Sequence, residues 1–198
     1  GETTPLSGFE HVISHALDFL RLTAERDLVF HGEQVALGSL VSARTIDRVL
    51  SLKDLRDIDW RDGDAGQALQ VLETRLAAAP LPGGAGAFRE KMAAALGEFS
   101  GEYKKKAGCW AAARGRVGSF VNDWDGIRRE LARLTLRAAE MEQLLKRSGL
   151  PCRPEETVPP TEPEEFRWAV TFSPFVRSRM NLADMLFWMG REDLVVLP

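Results

Sequence analysis

The chain has three histidines, and all of them fall within the first 31 of its 198 residues. His11 and His15 stand four apart, so on one helix they project from the same face. His31 follows a short polar turn and opens the next helix. Two adjacent helices would therefore bring His11 and His31 together at one end of a cleft. Imidazole is the usual ligand for zinc and related divalent ions at neutral pH, and a catalytic zinc normally keeps one coordination position open beside its protein ligands. On spacing alone a second reading stays open, in which these are ordinary core or surface histidines. The segment His11-Val12-Ile13-Ser14-His15 carries no glutamate between its histidines, so it lacks the general base of a zinc peptidase.

The elements that must place these side chains read as helices nearly throughout. Phe9, Val12, Ile13, Ala16, Leu17 and Leu20 recur at three- and four-residue steps, which is the apolar stripe of a packed helix. Ser7 and Glu10 have capping-box spacing ahead of it, and the helix is expected to run to about Ala24. A second helix opens near Gly32 with Val35, Ala36, Leu37, Leu40, Val41, Ile46, Val49 and Leu50 on its apolar face. Gly38, Ser39, Ser42 and Ala43 interrupt that face with small side chains, which lets another backbone come close and marks the helix as central. Asp57 to Asp64 reads as a linker, a helix is expected at about 65–78, and the Pro80-to-Gly86 run breaks the chain. A helix from about Phe88 extends past Tyr103, weakened by Gly97, Gly101 and Gly108. Further helices are expected at 124–134 behind Asn122 or Asp123, and at 138–148 with Gly149 and Pro151 as the stop. Thr161 and Glu164 have capping-box spacing with Pro163 in the first turn, and a last helix at about 182–189 is capped by Asn181 and stopped by Gly190. There is no alternating strand and no repeat. The fold class is all-α, a single helical bundle over residues 1–198.

With 44% apolar and 28% charged residues and a net charge of −3, the composition is that of an ordinary globular protein. It lacks the basic excess of a nucleic-acid binder. The one basic run, Lys104-Lys105-Lys106, reads as a solvated helix face or loop between helical segments. Cys109 and Cys152 have neither CxxC nor metal-ligand spacing and read as two reduced thiols. No secretory signal and no apolar run of membrane-spanning length is visible, so the expected compartment is the cytoplasm.

The run from Glu10 to Asp18 (Glu-His-Val-Ile-Ser-His-Ala-Leu-Asp), followed by His31-Gly32-Glu33-Gln34-Val35-Ala36-Leu37-Gly38, resembles the paired metal-binding motifs of the sn-glycerol-1-phosphate dehydrogenase family. That family shares a superfamily with glycerol dehydrogenase, iron-containing alcohol dehydrogenases and 3-dehydroquinate synthase. Tyr103-Lys104-Lys105-Lys106, Trp124-Asp125-Gly126-Ile127-Arg128, Ser148-Gly149-Leu150-Pro151, Glu165-Phe166-Arg167 and the run Val176 to Leu182 are similar to the same branch. The likeness spans nearly the whole chain but only the C-terminal helical part of a family member.

The resemblance implies that His11 and His31 ligate Zn²⁺, or Ni²⁺ or Fe²⁺, as a Lewis acid on the substrate oxygen. It implies a third protein ligand, an aspartate upstream of both; residues 1–10 contain none. His15 is implied to lie by the substrate and nicotinamide and to relay a proton. The implied cofactor is NAD(P), held by a Rossmann-like nucleotide-binding domain that this chain lacks and that a separate domain or subunit is expected to supply. The implied substrate is a small phosphorylated polyol, glycerol 1-phosphate or dihydroxyacetone phosphate. Phe9 stands where the family has a small residue and is expected to narrow or refill the pocket. The alternative is a non-catalytic helical module whose surface, uncovered by loss of the other domain, binds a partner or a second copy in a homo-oligomer.

Overall fold

The computed structural model describes residues 8–62, 64, 66, 70, 74 and 85–198. Eight α-helices are described by their bounds: α1 (Phe9–Thr23), α2 (His31–Leu50), α3 (Ala85–Ala113), α4 (Val117–Asn122), α5 (Trp124–Leu134), α6 (Ala138–Arg147), α7 (Pro163–Val176) and α8 (Leu182–Trp188). No strand occurs among the described residues, and none of their helices is long and apolar enough to cross a membrane. The all-α expectation holds. The expected helix at 65–78, most of the Pro/Gly break after it, and Ser7 of the first capping box lie outside the described residues.

α1 is the organising helix and packs on both α2 and α7. Phe9, Ile13, Ala16 and Leu17 of α1, with Leu37 and Val41 of α2 and Phe166, Ala169 and Val170 of α7, form one buried cluster. The helices meet this closely because Gly38 removes a side chain at the crossing: a Cβ there would stand 2.7 Å from the Glu10 carbonyl oxygen and 2.8 Å from its Cα. The small residues of α2 do what their positions suggested. A further cluster, Ala36, Leu40, Leu145 and Cys152, seats α6 on the other side of α2.

The larger cluster is aromatic and lies at the opposite end of α1. Trp110 stacks on Trp188 with ring centroids 4.8 Å apart and on Trp60 at 5.8 Å, while Trp168 stacks on Phe172 at 4.3 Å. Such rings bury large areas, and tryptophan adds an indole N–H donor. Two indole N–H groups tie down the segment after α2: those of Trp110 and Trp124 donate to the Arg61 and Leu52 carbonyls at 3.0 and 2.9 Å.

Several boundaries follow from local chemistry. Asn181 caps α8 by accepting from Ala183 N at 2.9 Å, and Gly149 and Gly190 leave their helices at φ +68° and +65°, where glycine is favoured. Two boundaries differ from expectation. α7 is capped one residue later than the Thr161/Glu164 spacing suggests: Glu165 accepts from Glu162 N at 3.1 Å, and Thr161 instead bonds Thr157 through its hydroxyl. α3 begins at Ala85, so Gly86 is already helical, and it runs unbroken through all three of its suspect glycines to Ala113. The lysine run therefore sits inside a helix. Lys104 and Lys105 are exposed, as a solvated face requires, but Lys106 is fully buried, which corrects that reading.

Candidate functional site

α1 and α2 form an antiparallel hairpin, with Glu10 across from Gly38 and Ser14 across from Gln34. That pairing sets the N-terminus of α2 against the middle of α1. The His11 and His31 ring centroids stand 5.4 Å apart, and His15 lies 6.4 Å from His31. The three histidines are thus gathered at one end of the hairpin. His11 and His15 are half-buried and His31 is exposed, so the group opens to solvent.

Each of the two expected ligands has its inner ring nitrogen occupied. His11 Nδ1 lies 3.1 Å from Glu10 Oε1, whose carboxylate also accepts from Gly8 N at 3.2 Å. His31 Nδ1 lies 2.9 Å from the hydroxyl of Ser14. Ser14 in turn bonds Gln34 Oε1, and the Gln34 amide nitrogen donates to Asp18 Oδ1 at 2.6 Å and to the Val29 carbonyl at 2.9 Å. Ser14 and Gln34 are completely buried. With Nδ1 engaged on both rings, each Nε2 is the nitrogen left to face a ligand. Second partners of this kind, a carboxylate on one ring and a polar side chain on the other, are characteristic of metal-binding imidazoles.

His15 faces a different feature. It lines a polar cavity of about 420 Å³ together with Val12, Glu102, Arg177, Ser178 and Arg179. Burial, and next the positive charge of Arg177, hold its imidazole below the ordinary pKa; Asp18 opposes them. His15 is accordingly biased toward the neutral form. The cavity's far wall is the loop after α7, and α3 grips that loop. Glu102 accepts from Ser178 N at 3.0 Å and from Lys105 Nζ. One turn along, Lys106 Nζ donates to the Pro174 carbonyl at 2.6 Å and to both oxygens of Asp184. One face of α3 therefore holds the Arg177–Asn181 loop at Ser178 and brackets it through Pro174 of α7 and Asp184 of α8.

Phe9 does not enter this cavity. It is buried in the α1–α2–α7 cluster. Among the described residues no group of three or more His, Cys, Asp or Glu side chains gathers as a complete metal cage. Among the described residues the imidazoles of His11 and His31 are the closest pair of donors here, and such a pair fits part of a metal site. Sequence reading named all three histidines but gave no role to Ser14, Gln34, Asp18, Glu102 or Arg177. One signal was available: Ser14 is a hydroxyl on the stripe side of α1, between two histidines, where an apolar residue would otherwise pack.

Comparison with known proteins yields a partial likeness. No family model matches the chain, and no solved structure matches it. Among curated proteins it is similar to a glycerol-1-phosphate dehydrogenase (NAD(P)+) of Pyrobaculum aerophilum, 35% identical over 88 residues. That alignment covers 40% of this chain and 25% of the relative, so the chain spans about a quarter of the length of the curated protein it matches.

Proposed function

We propose that these residues form the metal-binding helical half of an NAD(P)-dependent polyol-phosphate dehydrogenase of the glycerol-1-phosphate kind, working with a nucleotide-binding half. The observation that carries this reading is the juxtaposition of His11 and His31 with both Nδ1 atoms engaged, beside a polar cavity that holds His15 and two arginines. The similarity to a glycerol-1-phosphate dehydrogenase supports the same chemistry.

In this reading His11 and His31 hold the divalent ion through Nε2, and the nucleotide-binding half brings the remaining protein ligand. When bound, the ion supplies Lewis-acid polarisation of the substrate oxygen, and the nicotinamide supplies the hydride chemistry. The chain's own residues do the rest. His15, biased toward its neutral form by burial and by Arg177, takes a proton from the substrate hydroxyl or returns one. Arg177 and Arg179 present cationic groups to the phosphate end of the substrate, and α3 keeps the loop that carries them in place.

The test is reconstitution. The 198-residue chain is mixed with a nucleotide-binding half of a glycerol-1-phosphate dehydrogenase, and oxidation of NAD(P)H by dihydroxyacetone phosphate is followed with added Zn²⁺. Turnover is expected only for the mixture, with His11→Ala and His31→Ala each abolishing both activity and tight metal binding. His15→Ala is expected to lower rate more than metal content. Equal metal loss for all three variants would refute the role given to His15. Robust turnover by these 198 residues alone would refute the need for a nucleotide-binding half.

One observation favours a second reading, a non-catalytic interaction module. Leu22, Leu28 and Phe30, at the junction of α1 and α2, are 62%, 46% and 70% exposed. Apolar side chains grouped at a surface mark contact with another chain. A chain that stays monomeric at high concentration and recovers no partner would remove this reading.

A further inference from the structure

The polar groups between α1 and α2 have a direction that can be deduced one bond at a time. Gln34 Nε2 faces Asp18 Oδ1 at 2.6 Å and the Val29 carbonyl at 2.9 Å. A carboxylate and a backbone carbonyl are acceptors, so the two amide protons of Gln34 must point at them. This fixes the amide against a flip, and Gln34 Oε1 is left facing Ser14. An amide oxygen only accepts, so the single proton of the Ser14 hydroxyl is committed to it. Ser14 Oγ can then only accept from its other neighbour, His31 Nδ1, at 2.9 Å.

We infer that Asp18, Gln34 and Ser14 form a directed relay that fixes His31 in the Nδ1–H tautomer, leaving Nε2 as an unprotonated lone pair free for a ligand. Neutral imidazole has a proton on one nitrogen only, and the partner of the other nitrogen decides which. A His31 with Nε2–H would point a proton at any approaching cation and would set two lone pairs, those of Nδ1 and Gln34 Oε1, against one hydroxyl proton. The burial of Ser14 and Gln34 makes that mismatch expensive, because neither has water as a substitute partner. Gln34 and Ser14 are thus positioning residues: they act on a ligand through His31 and touch none themselves. His11 reaches the same tautomer by a shorter route, its Nδ1 lying on the acceptor-only carboxylate of Glu10. The purpose assigned to the relay rests on the metal-binding reading; the tautomer itself does not.

The experiment is ¹⁵N NMR of the metal-free, histidine-labelled full chain above the imidazole titration range, followed by addition of Zn²⁺. Wild-type His31 is expected as Nδ1–H. In Gln34→Met the Ser14 hydroxyl is freed to donate to His31, and the tautomer is expected to reverse to Nε2–H. In Ser14→Ala the Nδ1 partner is gone and the lock is expected to be lost. The His11 pattern should stay unchanged in both, which a general loosening of the fold would not allow. Zn²⁺ affinity in each variant should fall about 10- to 100-fold, the usual effect of losing an outer partner of a ligating histidine. A wild-type spectrum with Nε2–H at His31 overturns the relay, and that spectrum decides the matter even where a variant fails to fold. The two readings separate cleanly. If Zn²⁺ shifts His11 and His31 while metal-free His31 is Nε2–H, the relay fails and the metal reading stands. If His31 is Nδ1–H and Zn²⁺ shifts neither ring, the relay stands and the metal reading fails.

Discussion

Lys106 of α3 and Asp184 of α8 form an ion pair in which both side chains are fully buried, with Nζ 2.9 and 2.8 Å from the two carboxylate oxygens. The same ammonium donates to the Pro174 carbonyl near the end of α7, and the same carboxylate accepts from Asn181 N. The pair therefore joins α3 to both ends of the loop that walls the His15 cavity. Removing one partner strands the other as an uncompensated buried charge, which costs about 3–5 kcal/mol. Lys106→Met should lose stability on that scale in urea unfolding at alkaline pH, where the Asp184 carboxylate stays charged. The double variant Lys106→Met/Asp184→Leu should recover most of it, because no lone charge remains. If the single and double variants lost equal stability, the penalty would lie in packing and not in charge.

Asp184 also gives a pH signature. Burial pushes its carboxyl up to about 6, against the pull of Lys106 in the other direction. A carboxyl that binds its proton more tightly in the folded state than in the unfolded chain contributes stability that is present at low pH. That contribution is lost as pH rises from the ordinary carboxylate range through about 6. The ¹³C carboxyl resonance of Asp184 should titrate near that value, and it should move higher in Lys106→Met, where the nearby cation is gone. A midpoint in the ordinary carboxylate range would mean that water reaches the pair.

The lysine run shows what the sequence could convey and what it could not. Lys104, Lys105 and Lys106 look alike on paper, and only their helical phase separates them. The third points inward to a carboxylate 78 residues away, a pairing that no local pattern records. The features that were legible are those decided within a turn or two: the Asn181 cap, the exits at Gly149 and Gly190, the stripe of α1 and the shared helix face of His11 and His15. The α7 cap was misplaced by one residue because Thr161 and Glu162 both offer capping-box spacing, to Glu164 and Glu165, and tertiary contacts chose between them. Glu165 is held from outside by Arg21 at 3.1 Å and Arg26 at 2.8 Å, which favours the second spacing.

His15 should titrate below the ordinary histidine range. Burial is the larger cause and the charge of Arg177 the next; His31 and His11 add in the same direction and Asp18 opposes them. A histidine whose pKa is lower folded than unfolded contributes stability above about 6.5, and loses it as pH falls through the folded value. Arg177→Gln removes one lowering cause and leaves burial in place. Its expected effect is a partial rise of the His15 pKa in an NMR titration, still short of the ordinary value. A full return would make Arg177, not burial, the dominant cause. No change would mean that solvent screens the guanidinium, which is exposed.

The close crossing of α1 and α2 predicts opposite signs for three glycine-to-alanine changes. Each occurs inside a helix, where alanine is favoured over glycine by about 1 kcal/mol. At Gly101 and Gly108 of α3 an added Cβ meets nothing within 4 Å, so the propensity gain should appear nearly whole as a raised unfolding midpoint. At Gly38 the same methyl would stand 2.7 Å from the Glu10 carbonyl oxygen and 2.8 Å from its Cα. Both atoms are backbone, so no side chain can swing aside, and α1 and α2 must separate at the point that sets His11 beside His31. Overpacking of this kind costs about 1–3 kcal/mol, enough to outweigh the propensity gain. Gly38→Ala should therefore lower stability, and it should also weaken Zn²⁺ binding at His11 and His31, whereas Gly101→Ala and Gly108→Ala should leave that binding unaltered. A Gly38→Ala protein as stable as the wild type, with unchanged Zn²⁺ affinity, would mean that the helices can part here without disturbing the histidine pair.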